Sequence, residues 1–223
     1  MIIGLICPSR GRPQNIARLH QALIDTHFTG LFIIGLDDDD AQGYLDNSSI
    51  RYQKSNYEIN PRLRLGPTLN KLALQYVDQV DIIAFLGDDH LPQGNWERDV
   101  LAAFEEHPTG FVYGNDQYQG QALPTAVFVS SDIITAIGYM CPPGFVHMYL
   151  DNVWLSLGSE AGCIHYLPDT IIEHIHPAAG KAEWDSRYEE VNSTEIIHGD
   201  SALYHTWRET SLLNDVAKIK ELL

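Results

Sequence analysis

Two adjacent acids, Asp88 and Asp89, follow the apolar run Asp81-Ile82-Ile83-Ala84-Phe85-Leu86 across Gly87. That run reads as a buried strand, so the acids sit at its carboxyl end, where open α/β sheets gather ligands. Adjacent carboxylates repel each other and favour a bound cation. A hard cation such as Mg²⁺ or Mn²⁺ accepts carboxylate oxygens and holds a diphosphate as further ligands. Glycine and acids are also ordinary turn residues, so the stretch by itself equally describes an acidic strand-to-loop turn. Later residues bear on the choice. His174 and His176 alternate along the candidate strand Thr170 to Ile175, so they share a face. Either could be a further metal ligand, and an imidazole ligand favours Mn²⁺ over Mg²⁺. Asp151 precedes the helical run Asn152 to Leu157 and is either a general base or that helix's N-cap.

These groups need a scaffold. Ile2 to Cys7 reads as a strand broken by Pro8-Ser9-Arg10-Gly11-Arg12-Pro13, after which Ile16, Leu19, His20 and Leu23 recur at helical spacing. Leu31 to Leu36 is a second strand, closed by Asp37 to Asp40. Ala41 to Pro67 is polar and weakly patterned, with a short strand expected near Ile50 to Gln53. Leu69, Leu72, Ala73 and Tyr76 mark a helix capped by Thr68, and the Ile82 to Leu86 strand follows. This order predicts a parallel sheet covered by helices. Further helices are expected at Asn95 to Glu106, Ser131 to Ile137, Asp151 to Leu157 (stopped by Gly158) and Ser211 to Leu223. Strands are expected at Phe111 to Tyr113, Ala126 to Val129, Ile164 to Tyr166 and Thr170 to Ile175. His174 to Asn192 reads as a mobile loop over the site.

Composition narrows the classes. An apolar content of 44% and an aromatic content of 10% in 223 residues suit one domain with a real core. A net charge of −16 argues against broad attraction to nucleic acid or anionic membrane. The cations are uneven: Arg10, Arg12, Arg18, Arg51, Lys54, Arg62, Arg64 and Lys71 lie in the first third, and only Arg98 lies between Leu72 and Gly180. An anionic ligand is therefore expected at the N-terminal part, unless a metal brings it elsewhere. Cys7, Cys141 and Cys163 form neither a disulfide framework nor a zinc-ligand spacing. The first strand begins at Ile2, leaving no room for a signal peptide, and no apolar run approaches the ~18 residues of a membrane span. A reducing cytoplasm is the expected location. No G-x-G-x-x-G, Walker A or G-x-S-x-G pattern is present.

The ordered set of motifs resembles the GT-A glycosyltransferase fold, especially family-2-like enzymes, over roughly residues 2 to 176. Ile6 to Arg12 resembles the first strand and nucleotide-facing loop of that family, and Leu36-Asp37-Asp38 the strand end where an acid meets the base. Gly66 to Asn70 resembles the segment closing over the nucleoside. Phe85-Leu86-Gly87-Asp88-Asp89 resembles the metal-binding D-x-D motif. Phe128-Val129 with Ile137-Gly138-Tyr139 resembles the acceptor-side strand and the Gly-Gly-Phe turn. Tyr149 to Trp154 resembles the Glu-Asp motif that carries the base, and Ile172-Glu173-His174 the late metal-site histidine. The chain departs from the pattern at Gly87, which replaces the first acid of D-x-D, leaving Asp88-Asp89 or Asp88-x-His90 for the metal. It departs again at Leu150, which leaves Asp151 alone; the second glycine of Gly-Gly-Phe and the usual Arg-Asn pair are also missing.

The resemblance implies an α/β, GT-A-like fold with a mixed, mostly parallel sheet. It implies a single domain, 1–223, made of a nucleotide-binding half (1–90), an acceptor-side half (91–176) and a C-terminal loop and helix (177–223). The implied activity is sugar transfer from a nucleotide-sugar donor, dependent on Mn²⁺ or Mg²⁺ and inverting if Asp151 is the base. Asp89, with His174 or His176, would hold the metal. Asp88 would meet the ribose or a metal-bound water. Pro8, Ser9, Arg10, Arg12, Gly66 and Asn70 would line the donor site, with Asp37 or Asp39 on the base edge. Lys181 and Arg187 would reach phosphates from a closing loop, and Trp184 and Tyr188 would stack on sugar or acceptor or pack in the core. The hydroxyl acceptor is left open among a saccharide, a protein and a small molecule, with a modified DNA base less favoured by the acidic charge. Two rival readings are a nucleotidyltransferase of related architecture and a noncatalytic nucleotide-sugar-binding module.

Overall fold

The computed structural model describes residues 1–47 and 55–223; the strand expected near Ile50 to Gln53 lies outside them. β1 (Ile3–Ser9), β2 (Leu31–Asp37), β3 (Ser55–Asn60) and β4 (Ile82–Phe85) pair in parallel in the order β3-β2-β1-β4. β1, β2 and β4 are near-continuous apolar runs, as strands covered on both faces must be. β6 (Phe111–Asn115), β7 (Val127–Ser130), β8 (Ile164–His174) and β5 (His90–Pro92) extend the sheet in the order β4-β7-β6-β8-β5. β7 is antiparallel to both its neighbours, β6 and β8 are parallel, and β5 is antiparallel to β8. Among the described residues the result is a mixed eight-stranded sheet.

The sheet separates two cores. Leu5, Cys7, Phe32, Ile34 and Phe128 face α1 (Pro13–Asp25) and α4 (Trp96–Glu106), which contribute Ile16, Leu19, Trp96 and Phe104. Ile6, Ile33 and Phe85 alternate to the other face and meet α3 (Leu65–Tyr76), α5 (Ser131–Ile137), α6 (Leu150–Ala161) and α9 (Leu212–Lys220). A four-residue helix, α2 (Gln42–Leu45), presents buried Tyr44. Helices α7 (Ser186–Val191) and α8 (Thr194–Thr210) complete the chain's order.

Several boundaries differ from the sequence expectations. α3 begins at Leu65, not after Thr68, whose hydroxyl donates to the Arg64 carbonyl inside the helix. Pro67 falls in that first turn, where a missing N–H leaves no bond unmade. Gly158 does not stop α6, which runs on to Ala161 and ends at Gly162 with φ 78°. A Cβ at Gly158 would lie 2.6 Å from that of Ile164, so this glycine lets α6 approach β8. The two strands expected at Ile164 to Tyr166 and Thr170 to Ile175 are one, and the supposed loop to Asn192 contains α7.

Candidate active site

The parallel strands end on one edge: Ser9 pairs with Leu36, and Ile6 with Phe85. A cavity of about 570 Å³ opens over that edge, lined among others by Pro8, Ser9, Arg10, Arg12, Asp37, Asp88, Asp89, Asp151, His174 and His176. All ten are residues that the sequence motifs and the resemblance they carry lead one to expect in the site. The structure brings them together from four strand ends, one helix start and the loops between.

Asp88 and Asp89 are both buried, and their surroundings drive them apart. Ser9 donates to Asp88 at 2.5 Å and Asn15 at 3.3 Å. Burial and the neighbouring Asp89 charge nevertheless push the Asp88 carboxyl up to about 6. Burial also opposes ionisation of Asp89, but His174 and His90 reverse this and hold it well below the usual carboxylate range. Asp89 Oδ1 lies 3.3 Å from His90 Nδ1, and Oδ2 lies 3.5 Å from His174 Nε2. One donor atom from each of Asp89, His90 and His174 lies within 4.8 Å of the others. Gly87 permits this packing, because a Cβ there would sit 2.7 Å from Asp89 Oδ1 and 2.9 Å from His90 Nδ1. The departure from D-x-D thus has a steric cause.

His174 and His90 stack with ring centroids 4.1 Å apart. Burial alone would lower His174, yet Asp116 and Asp89 raise it to about 9. His174 Nδ1 is 3.8 Å from Asp116, too long for a hydrogen bond, and is buried with no hydrogen-bond partner. Desolvation and the neighbouring His174 lower His90. A carboxylate and two imidazoles, with His174 Nε2 toward Asp89, fit a first-row divalent metal such as Mn²⁺. His176 stands outside that cluster: its Nδ1 accepts the Ala178 N–H, and its ring lies 4.9 Å from that of His174.

Asp151 sits in the first turn of α6, not at its cap. The cap position is Tyr149, in the left-handed region with φ 65°. Asp151 accepts the adjacent Asn152 N–H, at 2.9 Å. Burial pushes it up to about 6 despite that bond, which suits a base working near neutrality.

Other expected donor residues have partners within the chain. Asn70 is bonded to the backbone of Met140 and Cys141, tying α3 to the loop after α5. Gly66 is packed so closely that a Cβ would lie 2.4 Å from the Phe145 carbonyl. Lys181 pairs with Glu173 at 2.8 Å, and Asp39 pairs with Arg10 at an exposed position. None of these four belongs to the cavity lining. Arg10 also donates to Asp37 at 2.9 Å, and Arg12 makes a forked pair with Asp185 at 2.9 and 2.7 Å.

Four contributors were missed or only touched on. His90 entered only as an alternative to the second acid. Asp116 ends β6 as Asp88 ends β4, so the same strand-end signal was available. It accepts backbone N–H groups from Tyr118, Gln119 and Gly120 at 2.7–2.9 Å. His147 lines the cavity, and burial lowers it to about 4. Asp200, 1% exposed on α8, accepts the N–H groups of Val146, His147 and Met148 at 2.9, 2.8 and 2.7 Å. No local sequence signal pairs it with that loop, 52 to 54 residues earlier.

The fold is that of the GT-A glycosyltransferases. The solved structures it resembles include those of S. aureus TarS, residues 1–349. The free form matches with a TM-score of 0.59 and 13% identity over 98% of this chain and 81% of that one. The complex with UDP-GlcNAc matches with a TM-score of 0.59 and 14% identity over 91% and 70%. The UDP complex gives 0.59 and 13% over 97% and 80%. No protein-family model matches the sequence, and no curated protein does.

Proposed function

We propose that this chain transfers a sugar from a nucleotide-sugar donor to a hydroxyl acceptor in a metal-dependent, inverting reaction. The observation that carries this reading is the meeting, in one cavity, of a carboxylate–imidazole cluster with a separate carboxyl raised to about 6. The binding of UDP-GlcNAc and UDP by TarS supports a uridine nucleotide donor.

Asp89, His90 and His174 would hold the metal, which when bound neutralises charge on the departing diphosphate. The loop after β1 and the end of β2 orient the nucleotide through Ser9, Arg10, Arg12 and Asp37. Asp88, held by Ser9 and Asn15, faces the ribose or a metal-bound water. The acceptor oxygen attacks the anomeric carbon as its proton passes to Asp151. The bond from that carbon to the diphosphate oxygen breaks, and the nucleoside diphosphate leaves. One displacement inverts the anomeric centre. The acceptor is a saccharide, protein or small molecule before it is a modified DNA base, and the setting is cytoplasmic.

A donor screen tests this. UDP-sugars with Mn²⁺ or Mg²⁺ should release UDP in an acceptor-stimulated reaction that a chelator stops. Tight UDP binding without turnover on any donor and acceptor would reduce the chain to a binding module.

A further inference from the structure

Three arginines at the cavity wall converge on one carboxylate. Arg62 and Arg64, between β3 and α3, both donate to Glu190 Oε1, and Arg187 Nη1 donates to its Oε2 at 2.9 Å. All four residues line the cavity. Among the described residues, Glu190 is the only carboxylate in ion-pair contact with any of the three. Within ion-pair distance, one internal anion therefore faces three cations among the described residues, in a chain whose net charge is −16.

Arg64 is held there by an unusual backbone. Its φ of 74° and ψ of 173° fall in a region essentially reserved for glycine. Such strain costs about 1–3 kcal/mol. The Arg64 and Glu190 side chains are 40% and 29% exposed, and an ion pair so placed contributes only ~0–1 kcal/mol. The Arg64–Glu190 pair does not by itself offset the strain. Planar guanidinium groups gathered at a cavity wall are, however, well suited to bidentate capture of phosphate. The cluster lies beside the carboxylate–imidazole group, not on it. Tyr188, on the same short helix as Arg187 and Glu190, is the residue that reaches Asp89, at 2.8 Å. Arg187 instead lies against the loop after β1, where a Cβ on Gly11 would be 2.9 Å from its Nε.

We propose that Arg62, Arg64 and Arg187 form a phosphoryl-binding subsite, with Glu190 as the internal anion that the phosphoryl group displaces. The subsite rests on the glycosyl-transfer reading only for the source of that group: the donor diphosphate, or a phosphate carried by the acceptor. Binding is noncovalent and exchanges one anion for another.

Calorimetric titration of the full chain with inorganic phosphate at fixed ionic strength tests the proposal. Glu190→Gln should tighten phosphate binding about tenfold, and Arg62→Gln with Arg64→Gln should weaken it at least about tenfold. Arg187→Gln supplies the same loss by another route should the double variant fail to fold. Phosphate binding that is undetectable in both wild type and Glu190→Gln would overturn the subsite. So would arginine variants that bind phosphate like wild type, or a Glu190→Gln protein that binds it no tighter. Repeating the titration on UDP-saturated protein assigns the source. Exclusion of phosphate by UDP marks the donor diphosphate; unchanged binding marks an acceptor-borne group. A wild-type chain that binds phosphate but not UDP would sink the glycosyl-transfer reading and leave the subsite standing.

Discussion

The first 90 residues and the segment from Pro177 to Val191 reach the same cavity by different means. In the first region, Ser9, Asp37 and Asp88 sit at or just beyond the ends of strands locked in a parallel ladder and buried on both faces. Their positions follow from backbone geometry and core packing. In the second, α7 is six residues long and buries Tyr188 alone. It is held by side-chain ties: Arg12 to Asp185, the Arg12 guanidinium 3.8 Å over the Tyr188 ring, and Tyr188 to Asp89. The one ion pair among them leaves Asp185 45% exposed, and a pair so placed is weak and screened by salt. The chemistry is thus mounted on a rigid edge, and the cover over it is built from contacts that cost little to break.

If that contrast holds, the largest losses come from the edge. Asp89→Ala should abolish detectable transfer and remove metal-dependent donor binding, as followed by UDP release and calorimetry. Full activity of this variant in chelator would end the metal reading. Asp151→Asn, on the first turn of α6, should lower turnover about 10²–10⁴-fold while leaving UDP affinity unchanged. In the wild type, turnover should fall tenfold per pH unit below the Asp151 midpoint of about 6. The sign for stability is opposite to that of an ion-paired acid. A carboxyl raised by burial favours the protonated folded state, so its contribution is lost as pH rises from about 4 through about 6. Asp151→Asn should flatten that part of a melting-temperature profile, and a profile unchanged by the substitution would contradict the burial argument.

The rigid half was also the legible half. Apolar runs mark β1, β2 and β4, the last two closed by acids, because a strand covered on both faces has to be apolar along its length. That pattern led to Asp37, Asp88 and Asp89 without coordinates. β3 was missed because it is an edge strand whose sequence, Ser-Asn-Tyr-Glu-Ile-Asn, lacks that patterning. α8 was missed because over its length only Asp200 and Trp207 are buried, so no apolar stripe announces it. Lys181 is expected at the phosphates from a closing loop, and no pattern in the chain foretells its pairing with Glu173. Long-range polar ties, such as Asp200 to the Val146–Met148 loop, leave no periodicity to read.

Asp200→Asn tests a tie that the sequence hid. The amide retains one acceptor where the carboxylate served three N–H groups, so a destabilisation of about 2–4 kcal/mol is expected. For a chain this long that is a fall of roughly 4–16 °C in melting temperature. The loop also leads into α6, so turnover should drop about tenfold at temperatures where the protein is still folded, with UDP affinity retained. Equal loss of UDP binding and turnover would mean that the loop supports the whole cavity and not the acceptor side.

The smallest effect should come from Tyr188→Phe, which is the sharpest test of the contrast itself. The substitution removes one hydroxyl, the donor to Asp89 Oδ2 at 2.8 Å, and keeps the ring under Arg12. Deleting a hydrogen bond to a charged group costs about 1.5–3 kcal/mol when the acceptor is left bare. Asp89 is not left bare, because His174 Nε2 lies 3.5 Å from the same oxygen and His90 faces the other. The expected loss is therefore nearer ~1 kcal/mol in stability. The tyrosine hydroxyl occupies one oxygen of the carboxylate that would hold the metal, so metal-assisted donor binding should stay level or improve by a few-fold. Turnover should change less than about tenfold, since no proton transfer is routed through Tyr188. A loss comparable to that of Asp89→Ala would erase the distinction between edge and cover. Tyr188 would then be a working part of the site, and α7 would have to be closed for the chemistry to proceed.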